Sequence, residues 1–394
     1  MPMRDEISLV VPIDGELDPD QRKRIAEKIH YLIPGLIRYE FNAAGLSIDC
    51  HALADGGTTD LDEIVQFIAD ILRTSKRSQT KILFENNVPT SYAEDPYPQL
   101  RSEKQVVETL PGIFVLGGGF QKRFTQLDEI ITGHADSQGA AERLVPTTVS
   151  TSALIDNGYL GDFPHHAIFA APLKHDLHAL ERVAAREDAS RAAFDVISDS
   201  VGVHDQVLAP TVCYHCFESL RGQTIGPADD RHLTAFGHCH RFESKNIRGL
   251  MRLQHFSMRE LVSLGDADYV AGNLETTLQF ISERLSDWGL KFRVVTATDP
   301  FFLGSSERKA MYQTTFALKR ELLMYIPHDD SWLAVCSFNN HQGVIVNKYA
   351  IDIAGTEKPM SGCIGFGYER FLYAIYAQLG FEKAAWPHEL QLDR

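Results

Sequence analysis

The chain has 394 residues, 44% apolar and 23% charged, with a formal charge of −15 and six cysteines. That length buries a large core with room for two domains, and the composition is that of a soluble globular protein. The acidic balance disfavours nonspecific attachment to nucleic acid, the unevenly spaced cysteines do not make a disulfide framework, and no segment approaches the roughly 18 consecutive apolar residues of a membrane span.

The N-terminus, MPMRDEISLVVPID, lacks a basic segment followed by a long apolar one, so a cytoplasmic, reducing setting is expected. Residues 7 to 86 read as β-α-β-β-α-β. Strands are predicted at Ile7–Ile13, Leu36–Phe41, Leu46–Ala52 and Lys81–Glu85, and helices at Asp20–Ile33 and Asp60–Leu72. The turn Asn42-Ala43-Ala44-Gly45 ends in the glycine that a short hairpin loop favours. This order suits a ferredoxin-like α/β domain over residues 1–88, a fold that names no function by itself. Pro89, Pro96 and Pro98 then punctuate a polar stretch, read as a linker over 89–104.

Over 105–394 the signals alternate irregularly. Helical periodicity is clearest at Leu177–Ile197, Tyr269–Trp288 and Phe371–Leu379; strand-like runs occur at Phe292–Thr296, Ala317–Ile326 and Trp332–Phe338. Short connections between strands favour an α+β domain with a largely antiparallel sheet and helices against it. Gly117-Gly118-Gly119 lacks the Lys-Ser/Thr of a phosphate-binding loop and reads as a glycine turn.

Two stretches carry chemistry. FGHCHRFESKNIRGLMRLQHFSMRE, Phe236 to Glu260, holds two alternating segments, Leu233–Glu243 and Met251–Leu261, around the polar turn Ser244-Lys245-Asn246. Read as a hairpin, it puts Arg241 with Glu243 on one face, and Arg252 with Phe256. Forked guanidiniums suit phosphates, a carboxylate suits an exocyclic amine, and a ring suits a base. The second stretch, GCIGFGYER, Gly362 to Arg370, sets Glu369 and Arg370 at the start of a helix-periodic run after three close glycines. Just before the first stretch, Cys213-Tyr214-His215-Cys216, with His238-Cys239-His240 inside it, would suit a closed structural zinc site, or simply buried thiols.

In this order the two stretches resemble motifs 2 and 3 of class II aminoacyl-tRNA synthetases, Arg-x-Glu, loop, Arg, Phe and then Gly-x-Gly-x-Glu-Arg. Over about residues 110–385 the chain is most similar to the amino acid:carrier-protein ligases and the catalytic core of the atypical seryl-tRNA synthetases. Shorter pieces agree in order: Gly158-Tyr159-Leu160, Phe163-Pro164-His165, Leu208-Ala209-Pro210, Asp299-Pro300-Phe301-Phe302 and Ser337-Phe338-Asn339 with His341. The resemblance implies that Arg241 holds the α-phosphate of ATP, Glu243 the adenine amine, Arg252 the terminal phosphates, Phe256 one face of adenine and Arg370 the other side of the nucleotide. It also implies a catalytic zinc (Zn2+) on Cys213, Glu260 and Cys363, with the fourth position taken by the substrate's amino group.

Class II enzymes commonly place a Mg2+-binding carboxylate on the strand before motif 3, where WLAVCSF has none. Asp329 and Asp330 at its start, and Glu321 on the preceding strand, are the alternatives. The resemblance implies activation of a small amino acid and its transfer to the phosphopantetheine thiol of a carrier protein. A tRNA ligase using the N-terminal domain, whose helix carries Arg22-Lys23-Arg24, is the second expectation, and a noncatalytic nucleotide-binding paralogue the third. A homodimer is expected from the same resemblance.

Overall fold

Alternation in EISLVV, LIRYEFN and GLSIDCH gives three short strands near the N-terminus: β1 (Glu6–Val11), β2 (Leu36–Asn42) and β3 (Gly45–His51). The computed structural model describes residues 6–13, 17, 19–33, 35–42, 45–51, 64–69, 80–185, 191–202, 204–226, 228–297 and 318–392. These form two units, divided between Lys81 and Ile82. In the first, β3 runs antiparallel to both β1 and β2, and helix α1 (Pro19–Leu32) connects the outer strands. That is a split βαβ arrangement, the part of the expected ferredoxin-like order that the described residues show. Ile25, Ile29 and Ile33, spaced four apart, bury against Leu46 and Ile48, with Ile64 and Ile68 from a helical stretch over 64–69. Gly45 has φ +123°, and a Cβ there would lie 2.2 Å from Val11 O, so a side chain does not fit. Residues 43–44, 52–63 and 70–79, on which parts of the expected turn and second helix fall, lie outside the described residues.

The second unit contains, in chain order, β4 (Ile82–Asn86), α2 (Tyr97–Ser102), β5 (Val106–Leu110), β6 (Ile113–Leu116), α3 (Gly118–Ser137), β7 (Ala141–Leu144), α4 (Leu177–Ala184), α5 (Arg191–Ser200) and α6 (Cys213–Ser219). There follow β8 (His232–His240), β9 (His255–Gly265), α7 (Ala267–Asp287), β10 (Phe292–Thr296), β11 (Lys319–Ile326), β12 (Ser331–Gln342), β13 (Met360–Gly367) and α8 (Tyr368–Leu379). Eight strands make one sheet in the order β4-β10-β11-β12-β13-β9-β8-β7, antiparallel throughout except for the β8–β7 pair.

Helices bury the sheet. In α7, Asp266 caps the start by accepting from Tyr269 N at 2.8 Å, and Val270, Leu274, Leu278, Ile281 and Leu285 face the sheet at helical spacing. Helix α8 is apolar on all sides and buried accordingly, with Phe371, Leu372, Ile375 and Tyr376 in the main core. It therefore holds Arg370, in its first turn, against a fixed background.

Several expectations are corrected. The strand assigned to the end of the N-terminal domain is β4, which pairs with β10 at the edge of the large sheet. Alternation marks a strand but not its partner. The stretch 89–104 is not a free linker: α2 buries Leu100 in the main core, Tyr92 N and Ser91 Oγ both donate to Gln378 O at 3.2 Å, and Tyr373 Oη donates to Asp95 at 2.9 Å. The helical run from Leu177 divides into α4 and α5. The three glycines do join a strand, β6, to a helix, α3, but Gln105 Oε1 already accepts from Phe120 N at 2.7 Å there. Among the expected motifs, Asp299-Pro300-Phe301-Phe302 lies outside the described residues.

Candidate active site

Strand β8 ends at His240 and β9 begins at His255, so Arg241, Glu243 and Arg252 stand on the loop between them rather than on a tight hairpin. The alternation continues past the point where the ladder stops, which is why the sequence overstates both strands. The loop is nevertheless fixed. Arg241 N donates to Gln254 O at 2.9 Å, Phe242 N to His166 O at 3.0 Å, and residues Ser244–Asn246 form a 3-10 turn.

These anchors gather the charged side chains. Arg241 Nε donates to Pro210 O at 3.1 Å, and its guanidinium lies 5.2 Å from the centroid of the Phe256 ring. Arg252 Nε donates to Glu243 Oε2 at 2.7 Å. Arg370 reaches the same space: burial, with Arg252 and Arg241 nearby, lowers its pKa to about 10 against the opposing pull of Glu243 and Glu321. Three guanidiniums thus converge on one region, with Glu243 and Glu321 among them. Such a region favours a polyanion.

The metal-ligating side chains lie beside it. The sheet register sets Glu321, Ser337, Gly365 and Glu260 opposite one another across four strands, on one face. Cys363, two residues before Gly365, shares that face, and Cys213 enters from the first residue of α6. The ligand atoms of Cys213, Glu260 and Cys363 all lie within 4.8 Å of one another, and the three residues are buried. Glu260 Oε1 accepts from Thr211 Oγ1 at 2.6 Å and from Val212 N at 3.0 Å, whereas Oε2 is buried with no hydrogen-bond partner. Burial, then the nearby Cys363, raises the carboxyl pKa to about 7. A hydrogen bond from Cys213 holds the Cys363 thiol down, and the same bond, with burial, pushes Cys213 up. Two sulfurs and an aimed carboxylate oxygen, all buried, fit a divalent zinc with one position left open.

The closed zinc alternative is not formed. Among the described residues, Cys213, Glu260 and Cys363 are the metal-competent cluster. Cys216 and Cys239 are buried thiols, and burial raises the pKa of Cys216 to about 12. His238 and His240 leave β8 on the opposite face from Cys239; His240 Nε2 lies 2.9 Å from His255 Nδ1. Of the carboxylates considered for Mg2+, Asp329 is bonded to Arg248 and Ser331, and Asp330 accepts from Tyr325 Oη at 2.7 Å. Glu321 shares the face of the thiols by register and lies near enough to Arg370 to act on it, with Lys319 Nζ 3.5 Å from its Oε1.

The tRNA synthetase class II core domain (G, H, P, S and T) matches residues 195–379. The chain is 30% identical over 283 residues to amino acid–(acyl-carrier-protein) ligase 1 of Bradyrhizobium diazoefficiens, covering 71% of this chain and 84% of that protein. The chain belongs to the class II aminoacyl-tRNA synthetase family.

Other class II relatives extend the comparison. Ligase 2 of the same organism is 28% identical over 70% of this chain and 81% of its own length. A type-2 serine–tRNA ligase of Methanothermobacter thermautotrophicus is 24% identical over 63% of this chain, which spans 49% of that longer protein. In fold, the chain resembles M. kandleri SerRS, solved in complex with A. aeolicus tRNASec, with a TM-score of 0.70 at 18% identity over 98% of this chain and 77% of that one.

Within this class II core, the structure brings Arg241, Glu243, Arg252, Phe256 and Arg370 into one neighbourhood and Cys213, Glu260 and Cys363 into another. The two adjoin: Glu243, from the first, and Glu260, from the second, both lie near enough to Arg241 to raise its pKa against the opposing effect of burial. Sequence reasoning missed three supports. Glu369, next to Arg370, accepts both bonds from Ser257 N at 2.9 and 3.0 Å and pins the start of α8 to β9. Thr211 orients Glu260. His166 rather than His165 stands 3.9 Å from Glu243, and burial beside Arg241 lowers its pKa to about 2, so it faces the loop as a neutral ring. Its place beside His165, next to the Phe163-Pro164-His165 piece, is the signal that the sequence offers for it. No helix among the described residues is long and apolar enough to cross a membrane.

Proposed function

We propose that this protein activates a small amino acid with ATP, forming an aminoacyl adenylate and pyrophosphate, and then transfers the aminoacyl group to the phosphopantetheine thiol of a carrier protein. The observation that carries this reading is the convergence of Cys213, Glu260 and Cys363 beside Arg241. Cys213, Glu260 and Cys363 would hold zinc there, and the metal would supply a Lewis-acid position for the neutral amine of the substrate. An amino acid so placed presents its carboxylate toward the arginines.

The carboxylate is already a nucleophile, so adenylation asks the protein for positioning and charge neutralisation more than for a general base. Arg241 holds the α-phosphate where negative charge develops, Arg252 the terminal phosphates that leave as pyrophosphate, and Arg370 the other side of the nucleotide. Phe256 stacks on adenine and Glu243 accepts from its amine. Glu321 would be the carboxylate that holds Mg2+, and the metal would supply charge neutralisation for the phosphates. The adenylate carbonyl is then attacked by the carrier thiol, and AMP departs.

Two relatives named as carrier-protein ligases, matched over more than four-fifths of their length, support the thiol acceptor. A tRNA acceptor is the second reading, favoured by the fold match that extends over 98% of the chain, the N-terminal unit included. Amino-acid-dependent exchange of labelled pyrophosphate into ATP tests the first half-reaction. Charging with a pantetheinylated carrier and with tRNA side by side tests the second: label on the carrier alone is expected, and label on tRNA alone would reverse the assignment. A homodimer is part of the proposal and is tested by sedimentation.

A further inference from the structure

The end of β12 is irregular in a way that bears on the metal site. Asn339 pairs with Cys363 and Asn340 with Gly362, but Gln342 pairs with Ser361, leaving His341 as the extra residue of a β-bulge. Gln342 adopts φ +52°, the left-handed region that a non-glycine residue rarely enters. A bulge re-aims a side chain. Here it turns His341 onto the site, where Nε2 lies 3.5 Å from Cys363 Sγ and Nδ1 lies 3.2 Å from Ser361 Oγ. The ring of fully buried Phe217 stands edge-on at 5.8 Å and limits its rotation.

The two sulfurs are served unequally. Cys363 Sγ has His341 Nε2 and Asn339 Nδ2, each at 3.5 Å. Cys213 Sγ has Thr211 Oγ1 at 3.5 Å, but that hydroxyl has one proton, already given to Glu260 at 2.6 Å.

Resting on the zinc reading above, we infer that Ser361 and His341 form an outer relay that positions Cys363 as the anchoring thiolate of the metal. Ser361 Oγ–H donates to His341 Nδ1, which fixes the tautomer with its proton on Nε2, and Nε2–H donates to the sulfur. Hydrogen bonds of this kind set a ligand's direction and withdraw charge from it. His341 is a positioning residue: it acts on the amino-acid site through Cys363.

The test uses the full chain loaded with zinc, and with Co2+ as a spectroscopic stand-in. His341→Ala is expected to release zinc to a competing chelator with an affinity about 10- to 100-fold weaker, the range typical of outer-sphere losses. It should also shift the thiolate-to-cobalt charge-transfer band. His341→Gln, which can return an N–H donor to the sulfur, should restore both to near wild type. Ser361→Ala, which frees the tautomer, should fall between them. If His341→Ala does not fold, His341→Gln and Ser361→Ala carry the test. Zinc retention and cobalt band unchanged in the folded variants would overturn the relay while leaving the zinc reading intact. A wild-type protein that takes up neither zinc nor cobalt would overturn both.

Discussion

Arg252 donates to Glu243 at 2.7 Å, joining two side chains that the nucleotide reading sends to opposite ends of ATP. The Glu243 side chain is almost fully buried and that of Arg252 is one quarter exposed. The pair therefore holds the loop between β8 and β9 in one arrangement, and under the proposed nucleotide reading ATP would exchange this bond for contacts to phosphate and adenine.

Arg252→Ala is expected to lower pyrophosphate exchange at least 100-fold. Arg252→Lys should remain down about tenfold or more, because an ammonium cannot reproduce a bidentate fork. Glu243→Gln should raise the KM for ATP more than that for the amino acid. An ATP titration of the exchange rate reads all three, and equal effects on both substrates would count against the assigned ends.

Cys363→Ser should cut bound zinc from about one per chain to a small fraction, since the site has only three protein ligands. Metal analysis after gel filtration measures it. Chelation of the wild-type protein should abolish exchange, with recovery on adding zinc back.

His134 tests the electrostatics of the core, away from the site. Its Nε2 lies 3.0 Å from Thr277 Oγ1, its ring stacks on Phe280 at 4.0 Å, and burial, helped by His232, lowers its pKa from 6.5 to about 4. The unfolded chain therefore binds a proton below pH 6.5 that the folded chain refuses until about pH 4. Stability falls as pH drops through that window, by about 3 kcal/mol at most from this group. His134→Leu should flatten the slope of unfolding free energy between pH 6.5 and 4, read from urea titrations at a series of pH values.

Asp128 joins α3 to the sheet. It accepts from Arg259 at 2.6 and 3.1 Å and from Tyr368 Oη at 2.5 Å, and Arg259 is 3% exposed. Asp128→Ala leaves a buried guanidinium with Glu142 as its remaining carboxylate, at 3.1 Å. A loss of about 3 kcal/mol is expected, near the lower end for a broken buried pair. The urea midpoint should fall with the slope unchanged.

Local pattern alone located Phe292–Thr296, the body of α7 and the body of α8, because burial of one face or of all faces imposes its own period on the residues. It also put Arg241, Glu243, Arg252, Phe256 and Arg370 in the right order to be compared with a known family. The same pattern misplaced the ends of β8 and β9, since alternation persists where hydrogen bonding stops. It also left β4 with the wrong partners and the residue 89–104 segment with none.

The metal cluster was legible only through family resemblance. Cys213, Glu260 and Cys363 come from a helix start and two strands far apart in sequence, and no local period links them. Tertiary structure decided that they meet, by setting β9 beside β13 and packing α6 across them. It likewise decided that Glu321, not Asp329 or Asp330, faces the site, and that a bulge aims His341 at Cys363. Residue types and their order are properties of the chain, whereas convergence depends on sheet register, which long-range pairing fixes.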